Sequence, residues 1–152
     1  MAPWSRLRAL GAADRRLLAQ AGLLLLLARV GLWLLPFPVL RRALDGEGPA
    51  KRAPDPAFPG RVAWAVGALA RRLPRTTCLV QSLAAHALLS RAGHRPVLHI
   101  GIREGGSPVA PLDAHAWVEC EGRVVAGEID HLVDYRVLTP AGPRPSSATD
   151  SS

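Results

Sequence analysis

One stretch limits the fold of this chain more than any other: an apolar run over residues 17–35, with five consecutive leucines at 23–27. It is too long for a strand. It is also too interrupted for a membrane span, because Arg29 leaves only 12 residues between itself and Arg16, against the ~20 that a spanning helix needs. Arg15 and Arg16 ahead of it look like the basic start of a secretory signal, but Pro36-Phe37-Pro38 follows where a small-residue cleavage site would stand. A helix ends before proline, since the ring clashes with a helical preceding residue. The run therefore reads as a core helix over 14–35 with Asp14 as N-cap. Such a helix needs an apolar surface to pack on. Trp33, Phe37 and the flanking arginines also suit a membrane interface, a less favoured reading.

The rest of the chain supplies that surface. Residues 39–44 add one or two helical turns. Four prolines and three glycines make 45–60 a linker without regular structure. Val62, Val66, Leu69 and Leu73 recur at helical spacing and predict a helix over 61–73, closed by Pro74. A third helix starts at Cys78, with Thr76 or Thr77 as its cap, and ends at Gly93. Residues 95–103 read as a strand, 104–108 as a turn and 114–121 as a second strand. On that second strand His115, Trp117 and Glu119 share one face, and Ala116, Val118 and Cys120 the other. A tight turn at Glu121-Gly122 leads to a return strand over 123–126, and the polar tail from Thr139 reads as disordered. Helices followed by an antiparallel meander define an α+β chain. Its parts are an N-terminal helical segment and linker (1–60), a core (61–138) and a tail (139–152).

Of the 152 residues 49% are apolar, which is enough for a core without disulfide staples. Two cysteines, Cys78 and Cys120, exclude a disulfide scaffold and a four-cysteine zinc site. A bridge between them would silence a nucleophilic thiol. The histidines at 86, 94, 99 and 131 lack ligand spacing, and there is neither an HExxH motif nor a glycine-rich phosphate loop. No metal and no cofactor are therefore expected. The charge is lopsided: residues 1–77 hold 13 basic and 4 acidic side chains, whereas 78–152 hold 6 and 8. Such a split points to an anionic contact for the basic half, such as an acidic peptide, a partner protein or a membrane surface. High-GC codon usage, which enriches Arg, Ala, Gly and Pro together, produces the same bias. Basic residues are not interleaved with aromatics, so no nucleic-acid partner is expected.

Cys78 stands in the first turn of its helix. The unpaired N–H groups and partial positive charge of a helix start favour a thiolate and can hold an oxyanion. A lone cysteine there is commonly a small core residue. His115, 37 residues on and on a strand, is what makes a Cys–His hydrolase site arguable. Its second ring nitrogen needs an orienting group. Glu128 and Asp130, expected on the return strand, are the candidates, and their two-residue separation leaves the choice open.

The segments CLVQSLAAHALLSRAGHRPVLHIGIR and LDAHAWVECEGRVVAGE resemble the leader peptidases of lasso-peptide biosynthesis, members of the transglutaminase-like cysteine protease superfamily. The likeness spans most of residues 15–135 and rests on the Cys-Leu helix and the Ala-His-Ala-Trp-Val-Glu block. It implies a Cys-bearing helix packed on an antiparallel sheet, with Cys78 as nucleophile and His115 as base. The acid that follows the histidine by about a dozen residues falls on Glu128, with Asp130 as the alternative. The resemblance further implies a stand-alone cytoplasmic protease that cuts a ribosomally made precursor. Its implied partners are a separate leader-recognition protein and, after cleavage, an ATP-using lasso cyclase. The basic half, which has no catalytic candidate, is the expected docking face. Another thiol acyl-transfer enzyme, amidase or transglutaminase, and a non-enzymatic basic binding module are the alternatives.

Overall fold

A computed structural model describes residues 10–44 and 53–141. The apolar run forms helix α1 (Ala12–Leu34), which ends one residue before Leu35-Pro36. Its N-cap is Gly11 rather than Asp14. Asp14 sits in the first turn and accepts from Arg61 Nη2 at 2.7 Å, so the acid serves a tertiary ion pair instead of a cap. A short helix α2 (Phe37–Leu44) follows.

Helix α3 (Phe58–Ala70) begins three residues before the expected start and stops three short of Leu73. Pro59, inside the expected linker, lies in the first turn, where a missing N–H costs nothing and a fixed φ favours the helix. The linker residues 45–52 lie outside the described residues. Helix α4 (Cys78–Arg91) starts as its sequence predicts: Thr77 is the N-cap, and its hydroxyl accepts from the Val80 N–H.

The strands are β1 (Val97–Ser107), β2 (Ala110–Cys120), β3 (Arg123–Ala126) and β4 (Arg136–Ala141). They form one sheet in the order β3-β2-β1-β4. The first hairpin is longer than expected, because β1 and β2 continue pairing out to Ser107 and Ala110. Strand β4 runs to Ala141, so residues 139–141 of the expected disordered tail are paired in the sheet. Its backbone pairs antiparallel with the free edge of β1, Ile100 opposite Thr139 and Leu98 opposite Ala141. Edge pairing needs main-chain groups rather than apolar alternation, and an edge strand tolerates Pro140. Residues 142–152 lie outside the described residues.

Helices and sheet share one core, an α+β arrangement. Leu17, Leu24 and Leu25 of α1 belong to the same buried cluster as Val62 and Val66 of α3, Leu83 of α4 and Val118 of β2. The expected alternation on β2 holds for Ala116, Val118 and Cys120, all at most 3% exposed. Trp117 is equally buried on the opposite side, where His99 and His115 stack along it at 5.2 and 6.3 Å between ring centres.

Candidate active site

Helix α4 and strand β2 carry the two candidate side chains, Cys78 and His115. The Ser82 hydroxyl, one turn into α4, donates to the Ala116 carbonyl at 3.1 Å. That bond ties the start of the helix to the strand beside His115. Cys78 is the first helical residue, so its N–H has no partner inside the helix. Cys78 and His115, both half-buried, line a single cavity of about 470 Å³. Gln81, Arg71, Gly127 and Glu128 share its wall. The Cys78 and Cys120 thiols are both free.

His115 Nε2 lies 2.6 Å from the carbonyl oxygen of Gly127. A carbonyl only accepts, so Nε2 carries the proton and Nδ1 holds the lone pair of the neutral ring. Main chain thus contacts the nitrogen for which Glu128 and Asp130 were the sequence candidates. Neither acid lies on the return strand: β3 ends at Ala126, and both follow it, exposed. Glu128 borders the cavity; Asp130 is absent from its lining. Gly127 is required where it stands. Its φ is +81°, and a Cβ there would run into the Ala116 carbonyl and the Trp117 backbone.

Further groups flank the ring. Tyr135 packs against His115 at 5.6 Å between ring centres, and its hydroxyl donates to Asp113 Oδ2 at 2.6 Å. That hydrogen bond, helped by Arg103, holds the Asp113 carboxyl below its ordinary value. The same contact raises the Tyr135 phenol. Gly101 makes room for this packing, since a Cβ there would lie 2.9 Å from Tyr135 Cβ and 3.0 Å from the Trp117 ring. Two of these residues left a signal in the sequence. Asp113 lies two positions before His115 on the same strand, and Gln81 one helical turn after Cys78. The Gly127 carbonyl left none, because a main-chain acceptor has no residue signature.

A second group of donors sits at the other end of α4. His94, Cys120 and Glu121 each bring one donor atom within 4.8 Å of the others. His94 Nδ1 is 3.1 Å from Glu121 Oε1, and the His94 side chain has no solvent exposure. Phe58 stacks on its ring. Burial, and then the Glu121 charge, push the Cys120 thiol up. By donor type this trio could accept a soft divalent ion, which would take the thiol as its thiolate.

The protein-family model described as Transglutaminase-like superfamily matches residues 22–139, and the chain belongs to that superfamily. Its members generally use a Cys-His-Asp/Glu triad as cysteine peptidases or acyl transferases. No curated protein and no solved structure matches the chain.

Proposed function

We propose that this member of the transglutaminase-like superfamily is a cysteine peptidase that removes the leader segment from a lasso-peptide precursor, acting with a separate leader-recognition protein. The observation that carries the peptidase reading is the shared cavity. A thiol on a helix start and a histidine with its Nδ1 lone pair free open into the same space. The resemblance of the Cys-Leu helix and the Ala-His-Ala-Trp-Val-Glu block supplies the substrate class.

In this reading His115 Nδ1 takes the Cys78 proton, and the thiolate attacks the scissile carbonyl. The Cys78 N–H and the helix-start dipole stabilise the oxyanion. The imidazolium then protonates the departing amine, which is the new N-terminus of the core peptide. Water, deprotonated by the same histidine, releases the leader acid from the thioester. The Gly127 carbonyl holds the ring, and Glu128 on the cavity wall is the acid of the triad. Asp130 is the alternative acid. The freed amine is left for a cyclase that joins it to an acidic side chain.

Incubating the precursor with this protein and the recognition partner, and weighing the products by mass spectrometry, tests the reading. Cys78→Ala or His115→Ala should lower cleavage by roughly 10³-fold or more with an unchanged circular dichroism spectrum. Full cleavage by the Cys78→Ala protein overturns it. The superfamily's transferases favour one second reading, acyl transfer to an amine. It is told apart by a product that gains the amine instead of water.

A further inference from the structure

Helix α1 has two apolar faces, and the protein uses one of them. Leu17, Ala21, Leu24, Leu25 and Ala28 are buried in the core. The other face runs in rows seven residues apart, two turns each. Leu23 and Val30 follow Arg16 in one row, Leu26 and Trp33 form a second, and Leu27 and Leu34 a third. These side chains stand in solvent: Leu23 and Leu26 are 57% exposed, Leu34 74% and Trp33 91%. Single exposed leucines are ordinary, but a continuous stripe of this kind marks a contact surface.

We propose that this face of α1 seats the protein on an anionic lipid surface, with the helix lying in the interface. The charges around the stripe select the occupant. Between Arg15 and Leu44 there are five arginines and no acidic residue. Arg15 and Arg16 are exposed at one end of the stripe, and Arg42 beyond the other. Asp14, the one acid at the helix start, is held by Arg61. A symmetric pair of this chain would bring these arginines face to face, whereas anionic headgroups would neutralise them. A spanning orientation is excluded because the opposite face packs on α3 and α4. Trp33, at the C-terminal end of the stripe, has the amphipathic ring that favours the headgroup boundary.

The full-length protein should co-sediment with phosphatidylcholine vesicles containing phosphatidylglycerol, less with phosphatidylcholine alone, and less again at high salt. Arg15→Gln and Arg16→Gln should each weaken binding about fivefold. Leu26→Glu with Trp33→Glu, both at exposed positions, should abolish it while the circular dichroism spectrum and melting temperature stay unchanged. Absence of vesicle binding at low salt overturns the proposal. So does binding that survives the double substitution. A lipid-free dimer that the double substitution splits, measured by light scattering, also overturns it and assigns the stripe to self-association.

Discussion

Both ends of the α4–β2 unit carry a cysteine, a histidine and a carboxylate, yet only one end has the setting for nucleophilic chemistry. At the start of α4, Cys78 is half-buried on a cavity wall, and His115 keeps a lone pair on Nδ1 because Gly127 occupies Nε2. At the far end, Cys120 is 2% exposed and its thiol is pushed up, while His94 Nδ1 is engaged by Glu121. The helix field works in the same sense. The positive N-terminus of a helix favours an anion and its negative C-terminus opposes one; Cys78 stands at the first end of α4, His94 and Cys120 near the second. The residue trio is thus not the determinant. Access, the free nitrogen of the imidazole and the sign of the nearby helix end set the two cysteines apart.

Thiol labelling gives the widest separation between the two ends. Cys78 should react with a disulfide reagent in the native protein. Cys120 should react more slowly by roughly 10³-fold or more, since exposing it requires opening the core. Equal native rates, read by mass spectrometry of Cys78→Ala and Cys120→Ala proteins, would erase the contrast. The carboxylates come next. Glu128→Gln should slow precursor cleavage about 10²-fold. Asp130→Asn and Glu121→Gln, at exposed side chains, should stay within about twofold. A large loss in Asp130→Asn with none in Glu128→Gln would move the acid role to Asp130. The smallest effect is on stability at alkaline pH. Burial holds the Cys120 thiol above its ordinary value of 9.0, so above that pH the unfolded chain ionises it while the folded protein does not. The stability it contributes is complete below pH 9.0 and is lost as the pH rises toward the folded value. Chemical denaturation across that range should show a decline that Cys120→Ala reduces.

Much of the fold was legible because local rules and tertiary packing agree. Thr77 caps α4 by accepting from the Val80 N–H, Gly93 follows its end with φ +86°, and Ala116, Val118 and Cys120 alternate inward as a half-buried strand requires. Strand β4 was not legible. Its segment pairs through backbone groups at the edge of β1, and no apolar pattern announces that. Pro59 misled in the opposite direction, since proline breaks a helix interior but starts a first turn.

The site divides along the same line. The sequence by itself determined the residue types, the helix start under Cys78, the strand under His115 and two acids within reach in the chain, because these depend on neighbours a few positions away. Only the tertiary structure decided that the Gly127 carbonyl takes His115 Nε2, that Glu128 rather than Asp130 borders the cavity, and that Cys120 is enclosed with His94. Those relations join segments distant in the chain. They are fixed by how α4 lies on the sheet and by the turn that carries the chain past β3, which no local pattern encodes.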